Sequence, residues 1–407
     1  MDDSDLPEMA AHATVKTAQC KFRGSSEARV SDPRKSNRVM SRIIPPFLVG
    51  IAIFSTYVWF DMCIQWHLRN GRTTTGICLL LFEIVLLILL AGSFFRITFT
   101  HAGYLPNRAD RNRVTQVDAG ESGIISASAA DSLHSGTSDY HRTYDRKPTS
   151  KEVRDFLSSP SVTEASIYIA RADPSDGARY CSICDVEKND RAHHCSEVNR
   201  CIKKFDHYCP WVGGPIGFTR YKFFFQFITY AAIYCVYITV TLGIAVSQRK
   251  RAAARVDNVQ HIPANPGLWY ACIALGGLFG SLMIPFSCFH GHQIAINKST
   301  LEYLDIRGTP VIVRVTKRDE FGNLLSFRQR INLAPDTHPF NIGLWHNWQQ
   351  VLGIVVWDKW VVFRLLNWIL PIHGSYSPGN GLTFPYDEAL IRKVQAEAEK
   401  HSYNNSY

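Results

Sequence analysis

Several things that would assign this 407-residue chain to a familiar soluble class are missing from it. No apolar stretch precedes Ile43, so nothing at the N-terminus reads as a cleavable secretory leader. The eleven cysteines are odd in number and clustered, which excludes the evenly paired framework of a small secreted domain. No recognisable nucleic-acid-binding module accompanies the +9 formal charge, so that charge points to anionic lipid or a phosphorylated small molecule rather than to nucleic acid. The long apolar runs carry almost no polar residues, which argues against a transporter or channel.

What is present is an uneven distribution. The 46% hydrophobic content is concentrated into runs separated by polar segments, the pattern of membrane spans beside polar domains. Phe47 to Ile64 and Gly76 to Phe95 are each long enough to cross a bilayer, and the short connection between them makes a helical hairpin. Phe223 to Val246 and Gly267 to Phe289 supply two more, the last containing Gly276, Gly277, Gly280 and Pro285, which predict close helix approach and a kink. Glu83 lies inside the second run and is expected to face a helix partner. The fold class is therefore a multi-pass α-helical membrane protein. It has four transmembrane helices, with a zinc-stabilised cysteine-rich domain in the cytosolic loop between helices 2 and 3.

The segments divide as follows. Residues 1–42 form a polar, disordered cytosolic tail, and 43–98 hold helices 1 and 2. Residues 99–178 are a largely disordered cytosolic linker whose serine run, Ser122 to Ser138, offers phosphate acceptors. Residues 179–222 are the cysteine-rich domain, 223–292 helices 3 and 4, and 293–407 a cytosolic C-terminal tail. Near the span ends, roughly fifteen Lys and Arg lie on the side of the tails and the cysteine-rich loop against about six on the other. That side is read as cytosolic, although Arg249-Lys250-Arg251 then falls on the far side. Within the tail, Gly353 to Ile372 mixes Trp357, Trp360 and Trp368 with Asp358, Lys359 and Arg364, which suits an amphipathic interfacial helix better than a fifth span.

Five of the cysteines fall between Tyr180 and Tyr221. Cys181 and Cys184 form a C-x2-C knuckle, and His194 and Cys201 follow at intervals that close a tetrahedral Cys3His site. Four protein ligands leave no open position for water, so the ion is structural. His193 is the neighbouring alternative ligand and Cys195 the leftover thiol. Downstream, Asp206, His207 and Cys209 place a carboxylate, an imidazole and a thiol within four residues. In extended backbone His207 and Cys209 share a face, the imidazole can draw the thiol's proton, and Asp206 can hold the imidazole's tautomer. The spacing leaves open a second reading, in which His207 or Cys209 is one more metal ligand.

These residues resemble the signature of the DHHC-type protein S-acyltransferases (palmitoyltransferases), in the DHYC spelling known among fungal members. The matches are Cys181, Cys184, Lys188, Arg191, His193, His194, Cys195, Cys201, Asp206, His207, Cys209, Pro210, Trp211, Val212 and Gly217. The resemblance implies transfer of a long-chain acyl group, typically palmitoyl, from acyl-CoA through an acyl-Cys209 intermediate. The acceptors would be cytosolic cysteines of membrane-associated proteins, reached from an endomembrane or the plasma membrane. His207 and Asp206 would assist, and Lys188, Arg191, His193, Lys203 and Lys204 would face the acyl-CoA phosphates. The family binds two zinc ions. Its first ligand set falls on Cys181, Cys184, His194 and Cys201. Its second would use Cys195 with positions that are Val198, Tyr208 and Pro215 here, so a single zinc is expected. Ser299-Thr300-Leu301-Glu302 resembles the family's Thr-Thr-x-Glu motif, and Asn347 the tail asparagine that holds the C-terminus against the membrane domain. Thr100 to Pro106 stands where the family has Asp-Pro-Gly, and only Gly103 and Pro106 fit. The competing reading is a catalytically inactive, zinc-stabilised membrane scaffold in which DHYC survives as structure.

Overall fold

The computed structural model describes residues 33–106, 164–168, 180–188, 191–254, 267–305, 310–318, 324–334, 337–355, 359–372, 381–382 and 384–404. The serine run and the first thirty-two residues lie outside the described residues.

Four helices are long and apolar enough to cross a membrane. They are α1 (Pro33–Met62, continuing as a π-helix over Cys63–Leu68), α2 (Thr73–Phe99), α3 (Tyr221–Ala253) and α4 (Gly267–Ala295). Helix α1 begins well before the apolar run. Residues 33–42, expected as part of a disordered tail, are helical: Pro33 suits a first helical position, and the Arg- and Lys-bearing turns that follow are good helix formers. Where the π-helix ends, only a short turn leads into α2, so the hairpin is tighter than the apolar runs alone suggest.

One face of each helix packs inward. Val58, Trp59 and Met62 of α1 meet Leu86 of α2, Tyr230, Tyr234 and Ile238 of α3, and Trp269 of α4. Apolar side chains elsewhere, such as Phe47, Ile53, Leu81, Ile88 and Leu282, stay exposed around the bundle, as lipid-facing positions must. Gly276 lets α3 and α4 approach closely, because a Cβ there would collide with the Thr239 hydroxyl. Polar rungs tie the helices together. The Tyr234 hydroxyl lies 3.0 Å from Ser55 Oγ and 2.9 Å from Thr56 Oγ1, and Trp59 Nε1 donates to Thr241 at 3.0 Å. Glu83 does face the bundle and is fully buried, but both carboxyl oxygens lack a hydrogen-bond partner among the described residues.

Between α2 and α3, β1 (Glu164–Tyr168) precedes three two-stranded antiparallel hairpins: β2 (Tyr180–Cys181) with β3 (Val186–Glu187), β4 (His193–Cys195) with β5 (Arg200–Ile202), and β6 (His207–Cys209) with β7 (Gly214–Ile216). Hairpins this small cannot bury a core of their own. The backbone after α2 joins them: Leu105 donates to the Cys201 carbonyl and Lys203 to that of Gly103, both at 2.9 Å. Gly103 makes that crossing with φ +77, and Thr219 stands 3.3 Å from where a Cβ would project.

After α4 come α5 (Thr300–Leu304), β8 (Pro310–Arg318), β9 (Leu324–Asn332), α6 (Leu344–Leu352), α7 (Val361–Ile369) and α8 (Glu388–Asn404). Strands β1, β8 and β9 form a separate antiparallel sheet. Helix α7 has nine residues and extends about 14 Å, far too short to span. It lies against α3, where Gln226 Nε2 donates to the carbonyls of Trp368, Ile369 and Leu370, and it leaves Val362, Phe363 and Ile369 exposed. Asn347 of α6 donates to the last carbonyl of α4, Ala295, at 2.7 Å, and accepts from the Ile342 amide at 3.1 Å.

Candidate functional site

The ligand atoms of Cys181, Cys184, His194 and Cys201 all lie within 4.8 Å of one another. Two come from the β2–β3 hairpin and two from the β4–β5 hairpin, where His194 and Cys201 are directly paired. His194 Nδ1 is 3.5, 3.3 and 4.0 Å from the three sulfurs. Metal bonds of about 2.1 to 2.3 Å place tetrahedral ligands roughly 3.5 to 3.8 Å apart, so these four side chains fit one zinc ion. His193 points elsewhere in the hairpin, opposite Ile202, and is not in the cluster. Among the described residues this is the one such grouping.

Strand β6 carries the candidate nucleophile. Alternation along a strand puts His207 and Cys209 on one face and Tyr208 on the other. Cys209 pairs with Gly214, and the hairpin closes through a 3-10 turn at Pro210–Val212 and a left-handed Gly213. The Cys209 thiol is buried in an apolar cluster with Ile97 of α2, Phe223 and Phe224 of α3, Ile294 of α4 and Val351 of α6. It therefore sits where the ends of the membrane helices meet the hairpins.

His207 is held through Nδ1, which lies 2.7 Å from Asp206 Oδ2, and Cys209 follows two places on along the same face of the strand. Burial disfavours the imidazolium, but the bonds to Asp206 and Cys209 and their charges outweigh it and push the pKa up to about 9. Asp206 is almost fully buried. Burial would raise its pKa, yet it is lowered, chiefly by His207 and then by His290 and the Thr300 amide.

That amide is supplied by α5. Thr300 N donates to Asp206 Oδ1 and Thr300 Oγ1 to Oδ2, both at 2.8 Å. The helix start is fixed by a capping box in which Ser299 accepts from the Glu302 amide and Glu302 accepts from the Ser299 amide. The motif at 299–302 is thus a helix cap that delivers two donors to one carboxylate.

The profile of the DHHC palmitoyltransferase family matches residues 174–307. Over 86% of this chain, and 87% of the other, it is 28% identical to the palmitoyltransferase pfa5 of Aspergillus fumigatus. These matches support the DHHC-type S-acyltransferase family for the chain. Human palmitoyltransferase ZDHHC15 is 35% identical over 52% of this chain and 51% of its own length, and palmitoyltransferase PFA3 of Candida albicans 29% identical over 57% and 60%. For these two, the chain spans only a little over half of the relative.

Two of the residues expected to face acyl-CoA phosphates, Arg191 and Lys204, are buried. Arg191 is buried, with Nε and Nη2 on the Glu302 carboxylate at 2.8 and 2.6 Å, and Nη1 and Nη2 on Asn297 at 3.1 and 2.9 Å. Phe340 and Phe384 stack on its guanidinium. Despite burial, this pairing holds Glu302 well below the usual carboxylate range. Lys204 is also internal, donating to Asn297 Oδ1 at 3.2 Å, and burial pushes its pKa down to about 7. Both side chains are held by partners from the segment after α4. Lys188, His193 and Lys203 are half-buried.

Beyond the resemblance, the sequence reading missed His290, whose Nδ1 is 3.1 Å from the Tyr221 hydroxyl and whose ring centroid is 6.1 Å from that of His207. Its position deep in an apolar helix gave no signal.

Proposed function

We propose that this chain is a protein S-acyltransferase that moves a long-chain acyl group, typically palmitoyl, from acyl-CoA to cytosolic cysteines of membrane-associated proteins. The observation that carries the reading is the shared strand face of His207 and Cys209, with Asp206 on the far nitrogen of the imidazole. An imidazolium beside a thiol favours the thiolate. The thiolate attacks the thioester carbonyl, and the CoA thiolate departs, taking up the proton held by His207. The acyl group then rests on Cys209. A client thiol gives its proton to His207 and attacks in turn, regenerating the enzyme by two-step covalent catalysis. One thioester replaces another at each step, and hydrolysis of the acyl-enzyme is the competing reaction.

The apolar walls around Cys209 suit an acyl chain, and the half-buried Lys188, His193 and Lys203 would face the CoA phosphates. Zinc on Cys181, Cys184, His194 and Cys201 would tie two hairpins together; saturated by protein ligands, it supplies structure alone. The Lys and Arg asymmetry of the loops supports a cytosolic active site. The scaffold reading keeps the zinc but gives no reason for a buried Asp206 that Thr300 holds against the His207 imidazole. The test incubates purified full-length protein with labelled palmitoyl-CoA. A hydroxylamine-sensitive adduct that disappears in Cys209→Ala is expected. No adduct, or one that persists in that variant, overturns the assignment.

A further inference from the structure

The three missing donors of the family's second metal site leave a question about what fixes the catalytic strand instead. The residues present do not fit an ion. Cys195 is buried and donates its thiol to Glu197 Oε2 at 3.3 Å. Val198 and Tyr208 pack with Cys195, Ile202 and Phe205 in an apolar cluster, and Pro215 offers no ligand at all.

A different element reaches this place. The N-terminal turns of α1, beyond its apolar run, lie across it. Asn37 Nδ2 donates to Glu197 Oε1 at 3.2 Å, and the Tyr208 hydroxyl donates to Ser41 Oγ at 3.0 Å. Ser41 in turn donates to the Arg38 carbonyl of its own helix at 2.9 Å, so its oxygen is oriented to accept from Tyr208. At the hairpin turn, Gly213 approaches the same helix: a Cβ there would stand 3.4 Å from the Ser41 carbonyl and 3.8 Å from Pro45. Helix α1 therefore touches the β4–β5 turn, the middle of β6 and the turn after Cys209.

Tyr208 sits between His207 and Cys209, on the opposite face of the strand. Fixing its side chain fixes the pitch of the strand, and with it the face that carries the imidazole and the thiol. We propose that the N-terminal end of α1, through Ser41 and Asn37, is the positioning element for the catalytic strand and takes over the task of a second metal ion. The first membrane helix and the thiol are then mechanically coupled.

The test uses full-length protein in lipid nanodiscs, with Ser41→Ala, Asn37→Ala, Tyr208→Phe, the Ser41→Ala/Tyr208→Phe double variant and the restoring variant Ser41→Thr. Loss of one such hydrogen bond should slow single-turnover acylation of Cys209 about fivefold at an unchanged half-saturating acyl-CoA concentration. The double variant should be no slower than either single, Ser41→Thr should recover most of the rate, and hydrogen exchange at residues 207–214 should quicken in the alanine variants. Zinc should stay near one per chain throughout. Unchanged exchange and rate, effects that multiply in the double variant, or a zinc content of two would each overturn the proposal. The rate arm rests on Cys209 being the nucleophile, whereas the exchange arm does not. If the wild type forms no adduct, the acyltransferase reading fails and exchange alone decides the role of α1.

Discussion

Asp206→Asn alters one atom of a carboxylate that is fully committed. Oδ2 accepts from His207 at 2.7 Å and from Thr300 Oγ1 at 2.8 Å, while Oδ1 accepts from the Thr300 amide at 2.8 Å. An amide cannot accept on both sides, so one donor is left facing an NH2 group, and the charge that favours the imidazolium is gone. In the intact site the His207 pKa rises from 6.5 to about 9. A rise of that size is on the order of 3 kcal/mol in favour of the cation. Asp206 and Cys209 share that effect, so losing the carboxylate forfeits on the order of 2 kcal/mol, a factor of roughly thirty in rate. Loss of the fixed tautomer adds to this, and a reduction of about a hundredfold is expected. The assay is single-turnover formation of the acyl adduct across pH 5.5 to 10. The wild type should lose rate as pH rises through about 9, and the variant at distinctly lower pH. Stability carries the same sign: a pKa raised on folding contributes fully below about 6.5 and is lost as pH climbs through about 9. Wild-type Tm should therefore fall across that window by more than that of Asp206→Asn. A variant that acylates within twofold of wild type with the same alkaline limb would refute the reasoning.

Thr300→Val keeps the amide but deletes the hydroxyl bond to Asp206, and acylation should slow about fivefold to tenfold; an unaffected rate would detach α5 from the site. Chelation, or Cys184→Ser, should strip the metal and collapse the hairpins, seen as loss of zinc together with loss of protection at residues 181–202; retained protection without metal would contradict a structural ion. Asn347→Ala leaves the Ala295 carbonyl and the Ile342 amide without their partner, at a cost of about 1 to 3 kcal/mol, and a Tm equal to wild type would show that water replaces it. Gly217→Ala sets a methyl 2.5 Å from Ile202 Cγ2 and 2.9 Å from the Lys203 carbonyl, which should lower Tm by the equivalent of about 1 to 3 kcal/mol; a stable variant would mean that the turn can yield.

Features set by neighbours in sequence were legible before any coordinates. Hydropathy alone marks four long helices, because lipid enforces an apolar run for each. The C-x2-C knuckle with His194 and Cys201 reads directly, since metal geometry constrains ligand types more tightly than packing does. Asp206, His207 and Cys209 lie so close together that a single strand suffices to align two of them. Arg191 and Lys204 misled because their partners, Glu302 and Asn297, lie 111 and 93 residues away, and a cation's partner cannot be read at that distance. Residues 33–42 misled because polar composition resembles a solvated tail, whereas their order comes from docking on Glu197 and Tyr208. The sheet of β1, β8 and β9 joins segments from either side of two membrane helices, and no periodicity announces such a pairing.

Arg191 also has something to say about synthesis. Its guanidinium is clasped by Asn297, Glu302, Phe340 and Phe384, all of which leave the ribosome long after it does. Until then the cysteine-bearing hairpins hold an interior cation without these partners, and Asp206 waits for Thr300. The reactive centre is thus completed only after α4 has been made. A chain cut short before Phe384 would display a raw, charged underside, a ready cue for degradation, and the hairpins would make a poor candidate for expression by themselves.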